Sequence, residues 1–392
     1  MPAMPYDFST PVDRRGTSSL KWDFGTRLTG RDDLLPLWVA DMDFRLPPEI
    51  QEAIERRVAH GIFGYTLEPE SYFEAAAAWL ASRHGWNVPR AWMLPSPGVI
   101  ASLCAAILAL TNPGDRIVVQ PPGYYPFWKR VAANGREVVE NPLVLTGDRY
   151  LMDLAQLDRV ADARTRMLIL CSPHNPVCRV WSSSELEALV ALCLRRGIVI
   201  VSDEIHHDIV MPGYRHTPLA SLSVEAARIC LTLTSVTKTF NLAGLGCSLA
   251  IAADPELRAR LRGAQAALWP GVANAVSIAA AEAAWRLGGA WLEELVAHVA
   301  GNQAFVEREL ESRLPGARAA PLEGTYLSWI DLRALGLGDD EVTRRLVEVG
   351  GVWLDEGRKF GSGGSGFQRL NLACPRATLA RGVEGMVRAL RS

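Results

Sequence analysis

The run Ile-Cys-Leu-Thr-Leu-Thr-Ser-Val-Thr-Lys-Thr-Phe-Asn-Leu-Ala-Gly-Leu occupies residues 229–245. Its first part, Ile229–Thr234, is apolar and β-branched and reads as a short buried strand. It runs straight into Lys238, which sits among small hydroxyl residues and precedes an apolar run bearing a glycine. Upstream, Arg116–Gln120, Met167–Cys171 and Val199–Ser202 have the same strand character, and downstream so does Leu249–Ala252. Between them the spacing predicts helices over Ile100–Leu110, Phe127–Asn134 and Ser184–Arg196, the last capped by the preceding serines. Short buried strands alternating with helices indicate a mostly parallel sheet covered on both faces, an α/β fold. Such sheets bind ligands at the carboxyl ends of their strands, where Asp203 and Lys238 both fall.

The flanks differ. Residues 1–45 are irregular and rich in Pro, Asp and Gly. Helical spacing begins near Pro47, through Ile50, Ile54 and Val58, and an Ala-rich helix is predicted over Ser71–His84. Ala275–Glu311 reads as one long helix or two joined ones. Beyond Pro315 the pattern mixes strands (Tyr326–Asp331, Arg369–Ala373) with helices (Asp339–Val349, Ala377–Leu390), as in a smaller α+β domain. The segment Lys359–Phe367 holds four glycines and two serines and is expected to be flexible, ordering around substrate. There is no internal repeat.

A chain of 392 residues exceeds one simple core and predicts two domains. With 49% hydrophobic and 21% charged residues it has ordinary globular composition. A net charge of −2 without charge blocks argues against a nucleic-acid or membrane-surface role. No apolar stretch reaches membrane-span length, and the start, MPAMPYDFST, does not read as a signal peptide. Seven scattered cysteines without a C-x-x-C pair argue against a disulfide framework or a zinc site, so no metal is expected and a cytoplasmic location is. Twelve tryptophans serve as core anchors or line a pocket for a bulky ligand.

A lysine in this setting can carry an aldehyde cofactor as an imine while the hydroxyls of Ser235 and Thr237 face a phosphate. Pyridoxal 5'-phosphate (PLP) presents both groups. Taken alone, Lys238 would read as a surface lysine in a Ser/Thr-rich loop; the other segments reverse that. Asp203, in Val-Ser-Asp-Glu-Ile-His (201–206), can hold a protonated pyridine nitrogen, or merely cap a turn. Asn175, in Ser-Pro-His-Asn-Pro-Val (172–177), can donate to the ring oxygen, or form a plain Asn-Pro turn. Gly98, Val99 and Ile100 open a helix whose N–H groups can bind phosphate. Tyr124 can stack on the ring, or be a core tyrosine. Arg369, on an otherwise apolar strand, needs an anion: a substrate α-carboxylate gripped by two nitrogens, or a structural salt bridge. Arg376 is the more structural arginine of the two.

These motifs, taken in order, resemble the fold type I PLP enzymes of the aspartate aminotransferase superfamily. Within it the chain is similar to the MalY/PatB-type carbon–sulfur β-lyases, which are cystathionine β-lyase-like. The resemblance runs through Gly16-Thr17, Lys21-Trp22-Asp23, WVADMDF (38–44), Gly64-Tyr65-Thr66, SPGVI (96–100), YYPF (124–127), SPHNP (172–176), SDEIHHD (202–208), SVTKTFNLAGL (235–245), EGTYL (323–327) and RLNLACPR (369–376). It implies a PLP-dependent transferase fold with a mostly parallel seven-stranded sheet sandwiched by helices. A large cofactor-binding domain would span 46–284, and a small α+β domain would join 1–45 to 285–392. It implies that His206 stands near the ring oxygen and that Tyr65 reaches the phosphate of a neighbouring subunit, hence a homodimer with its site at the interface. The backbone near Ala40, with Asn175 and Arg369, would hold the substrate carboxylate.

The implied activity is β-elimination from an S-substituted L-cysteine, cystathionine-like or bulkier, giving a thiol, pyruvate and ammonia. Aminotransfer, or decarboxylative or oxidative deamination of a cysteine conjugate, stays open, as does a PLP-binding regulatory role. Relatives usually carry glycine where this chain has Cys178. A left-handed backbone there would cost roughly 1 kcal/mol. A change so near the cofactor would reshape the pocket, and Cys178 is either reactive or an inert small residue.

Overall fold

A computed structural model describes residues 6–269 and 273–391; the first five residues, part of the start read above as no signal peptide, lie outside them. Seven strands form the central sheet. In space they run Met93–Ser96, Ser248–Ile251, Cys230–Thr234, Val199–Asp203, Thr165–Cys171, Arg116–Val119 and Glu137–Glu140. All run one way except Ser248–Ile251, which is antiparallel to both neighbours.

Alternation sets the two faces. Ile117, Val119, Met167, Ile169, Val201, Leu231 and Leu233 pack with the helix Val99–Leu110 and with Leu261. Val118, Leu168, Leu170 and Ile200 join the larger core on the other face with the helix Ser183–Arg196. That helix starts on a reciprocal cap: Ser182 accepts the N–H of Glu185, and the Glu185 carboxylate accepts the N–H of Ser182, satisfying two donors the helix leaves unpaired.

Two sheet strands escaped the sequence reading. Met93–Ser96 contains Pro95, which demotes a short run. Glu137–Glu140 has a glutamate at each end, the composition of an edge strand, and an edge is where it lies.

Residues 275–313 form two helices, Ala275–Leu287 and Gly289–Arg313. The joint is Gly288, where a Cβ would lie 2.3 Å from the Phe240 ring and 2.7 Å from the Ala284 carbonyl oxygen. A second, four-stranded antiparallel sheet has the order Arg318–Ala319, Leu327–Asp331, Phe367–Asn371, Asp355–Glu356. The first segment joins this region, since Leu35–Pro36 pairs in parallel with Val352–Trp353.

The glycine-rich segment 359–367 is packed in place, contrary to the expected flexible loop. A Cβ on Gly364 would lie 2.0 Å from the Gly357 carbonyl oxygen, and one on Gly361 3.0 Å from Pro121. Its glycines serve close backbone approach. No helix among the described residues is long and apolar enough to cross a membrane.

Candidate active site

The strands Thr165–Cys171, Val199–Asp203 and Cys230–Thr234 end side by side, Cys171 opposite Asp203. Beyond these ends opens a cavity of about 360 Å³ whose wall includes Ala40, Gly98, Tyr124, Asn175, Asp203, His206 and Lys238. Val99, Ile100 and Thr237 line it as well. The fold thus gathers residues spread over two hundred positions onto one wall.

Ser235 caps the short helix Val236–Thr239 by accepting the N–H of Thr237 at 3.0 Å, which fixes where Lys238 stands. The Lys238 Nζ donates to the Ala40 carbonyl at 2.5 Å. Burial pushes its pKa down to about 8; Asp41 and Asp203 oppose the shift and Arg369 adds to it. Asp203 is the last residue of its strand, and its Oδ1 accepts the Ile205 N–H at 3.1 Å. Burial lifts its carboxyl to about 7, against the opposing pull of the Ile205 N–H and Lys238. His206 is buried, with Nδ1 unpartnered among the described residues. Desolvation, with Lys238 and Arg369 nearby, keeps it neutral, far below its ordinary range. Tyr124 stands edge-on to Phe127, its hydroxyl pushed up to about 12 by burial.

Three expected residues lie off the cavity wall. The Ser235 hydroxyl donates to the Cys247 carbonyl at 2.5 Å in addition to capping. Tyr65 is 98% exposed on an irregular stretch beside the exposed Ile62, Phe63 and Leu67. Arg369 is buried and has the salt-bridge partner weighed as the alternative. Its Nη2 reaches Asp355 Oδ2 at 2.8 Å and the Trp38 carbonyl at 2.8 Å, its Nη1 donates to Asn175 Oδ1 at 2.9 Å, and its Nε has no partner among the described residues. Arg376 bonds Asn302 at 2.7 Å and lies over Phe305, as a structural arginine does.

Cys178 does adopt the left-handed backbone, with φ of 64°. It has no exposed surface, does not line the cavity, and donates from Sγ to the Leu327 carbonyl at 2.9 Å. Burial pushes its thiol up to about 12, so no reactive thiolate forms. Cys178→Ala is expected to keep turnover within about twofold while lowering stability by about 1 kcal/mol, read by steady-state kinetics and urea unfolding.

Sequence reasoning missed the support beneath the site. Within SDEIHHD it assigned Asp203 and His206, but Glu204 and Asp208 point to a buried network. Glu204 accepts from Ser202 at 2.8 Å and His216 at 2.9 Å. Asp208 accepts from Trp79 at 3.0 Å, His84 at 2.9 Å and Thr239 at 2.8 Å, the last being the neighbour of Lys238. The density of acids and histidines following the apolar strand Val199–Ser202 was the available signal. Asp355 was missed too, though a carboxylate in the apolar run Val352–Leu354 calls for a cation.

Besides His206, two further imidazoles in this region are held neutral. Burial, with His207 beside it, pushes His84 from 6.5 to about 4, and burial pushes His174 to about 3. In the unfolded chain both take up protons near 6.5. Below that pH the unfolded state binds more protons than the folded one, and stability falls as pH drops toward 4. Asp203, raised to about 7, pulls the other way over the same range. In the Asp203→Asn variant, which lacks that carboxyl, the melting temperature is therefore expected to decline from pH 6.5 to 4, and a flat profile there would contradict the assignment.

Strand-end lysine and acid, the helix N-terminus between them and the seven-stranded sheet define the fold type I architecture of PLP-dependent enzymes. The chain belongs to the aminotransferase class I and II family, which it matches over residues 32–386. It is 43% identical to cystathionine beta-lyase PatB of Bacillus subtilis, across 98% of this chain and all of that protein. Among solved structures, cystalysin from Treponema denticola, which contains PLP, superposes with a TM-score of 0.96 at 34% identity, over 99% of each chain. The PLP-bound C-S lyase of Staphylococcus hominis gives 0.93 at 29% identity, over 100% of this chain and 99% of that one.

Proposed function

We propose that this protein is a PLP-dependent carbon–sulfur β-lyase. It converts an S-substituted L-cysteine and water into a thiol, pyruvate and ammonium. The observation that carries the reading is the pairing of a lysine amine lowered to about 8 with a buried, cation-seeking carboxyl in one cavity. The residues fit the cofactor: Asp203 is buried with its carboxyl raised to about 7, His206 Nδ1 lacks a partner among the described residues, and the first turn of Val99–Leu110 offers N–H groups to a phosphate. The names of PatB and of the S. hominis enzyme support carbon–sulfur cleavage.

When bound, PLP supplies an electron sink for the pair left on the substrate Cα. This chain's residues do the rest. Asp203 would keep a ring nitrogen protonated. Asn175 and His206 would hold the ring oxygen, and Tyr124 would stack on the ring. Gly98, Val99, Ile100 and Thr237 would hold the phosphate, with Ser235 fixing Thr237. Lys238 removes the Cα proton; an amine near 8 is poised to take and return it. Arg369, whose Nη atoms are held by Asp355, Trp38 and Asn175, would bind the substrate carboxylate by giving up part of that set or through its Nε, unpartnered among the described residues, with Asn175 and Ala40 beside it.

Residues 46–284 make up the cofactor-binding domain, and 1–45 with 285–392 the smaller one. A second copy covers Ile62, Phe63 and Leu67 and receives Tyr65 at its phosphate site, giving a homodimer. Seven free thiols accord with a reducing cytoplasm.

Borohydride treatment of the PLP-loaded protein tests the reading. The peptide holding Lys238 is expected to carry the fixed cofactor. A tag on another lysine, or none, would refute it.

A further inference from the structure

Residues 38–44, Trp-Val-Ala-Asp-Met-Asp-Phe, adopt neither helix nor strand although Met42, Asp43 and Phe44 are buried. A buried irregular segment must find other partners for its carbonyls. Here side chains supply them for five residues in a row. Arg369 donates to Trp38 (2.8 Å), Asn371 to both Val39 and Asp41 (2.6 Å each), Lys238 and Tyr326 to Ala40 (2.5 and 2.9 Å), and Arg14 and Asn241 to Met42 (3.0 Å each). Asn241 also accepts the Met42 N–H at 2.9 Å and donates to the Phe44 carbonyl at 3.2 Å.

Two asparagines therefore tie this segment to the groups that act. Asn241 lies three residues beyond Lys238, at a left-handed φ of 56° that asparagine tolerates. Asn371 lies two residues beyond Arg369 on the same strand. The Ala40 carbonyl, bonded to Lys238 Nζ, sits between the two residues that Asn371 holds, and Asn241 anchors Met42 and Phe44 just beyond them. The segment's acids are held from outside: Arg14 grips Asp41 at 2.7 Å and Asp43 at 2.8 Å, and buried Lys21 bonds Asp43 at 2.7 Å.

We propose that Asn241 and Asn371 are positioning residues that hold the Ala40 carbonyl and the Asp41 carboxylate toward Lys238, steadying the ammonium that its free amine becomes on taking a proton. This rests on Lys238 being the group that moves the Cα proton. The groups facing Lys238 divide by sign. Asp41, Asp203 and the Ala40 carbonyl favour the ammonium, and Tyr326 braces that carbonyl from its other side. Burial and Arg369 disfavour it, and neighbouring His206, held neutral, adds no charge. Loosening the segment removes two of the favourable contributions and leaves the opposing ones.

The chain has four lysines, at positions 21, 129, 238 and 359, so each can be followed separately. With Lys238 freed by hydroxylamine, competitive acetic anhydride labelling across pH, read by peptide mass spectrometry, gives its midpoint directly. Asn241→Gly, which suits the left-handed backbone, and Asn371→Ala are each expected to lower the Lys238 midpoint by about one pH unit, with Lys129 unmoved. A merely structural role would lower the melting temperature and leave the midpoint where it was. A Lys238 midpoint unmoved or raised in either folded variant overturns the proposal. Failure of the catalytic reading would show separately, as turnover that survives Lys238→Ala.

Discussion

Lys238→Ala is expected to reduce pyruvate release by about a thousandfold or more while leaving the fold intact. The side chain has two tasks in this account, holding the cofactor and moving the Cα proton, and no other lysine lines the cavity. Its loss leaves Asp203 and the helix N-terminus in place, so the cofactor still binds, but without its covalent anchor and without a base. The structural cost is small, because Nζ makes one hydrogen bond, to Ala40, which Tyr326 also satisfies. Circular dichroism and the melting curve of the variant should match those of the parent. Turnover within tenfold of the parent would remove Lys238 from the mechanism.

Asp203→Asn is expected to have opposite effects on activity and on stability. Turnover should fall by about a hundredfold or more, because an amide accepts the same Ile205 N–H but cannot hold a ring nitrogen protonated. Stability of the cofactor-free protein should rise. The folded carboxyl titrates near 7 rather than 3.8, so between those values the folded state binds more protons than the unfolded one. The stability it contributes is complete below 3.8 and is lost as pH rises through 7. An asparagine removes that loss, by an amount on the order of a few kcal/mol above neutral pH. Urea unfolding of both proteins without cofactor, at acid and at alkaline pH, reads the difference. A variant less stable than the parent at alkaline pH would show that Asp203 is a structural acid and not a site held at the expense of stability.

The parts of this molecule governed by local pattern were legible in the sequence. Thr165–Cys171, Val199–Asp203 and Cys230–Thr234 are continuous apolar strands, and their ends predicted where Asp203 and Lys238 would meet. The helix Ser183–Arg196 was announced by its cap. What stayed hidden depended on partners distant in sequence. Whether Arg369 faced a ligand or a salt bridge turned on Asp355, fourteen residues away and on a neighbouring strand. The glycines of 361–366 read as flexibility, whereas Gly364 is required by its approach to Gly357 and Gly361, Gly363 and Gly366 by their left-handed backbone. Ser235 read as a phosphate donor, but its geometry as a helix cap decides where its hydroxyl goes. The WVADMDF segment was visible as a motif, yet its role as an acceptor strip for side chains from four other regions emerges only in three dimensions.

The most direct test of the central claim is to incubate the PLP-loaded protein with L-cystathionine and other S-substituted cysteines, without any keto acid, and to measure thiol and pyruvate together. The account predicts that both appear in equal amounts, turnover after turnover, with ammonium. Pyruvate that fails to form, with the substrate's amino group passing to a keto acid only once one is supplied, would contradict β-elimination and make the protein an aminotransferase.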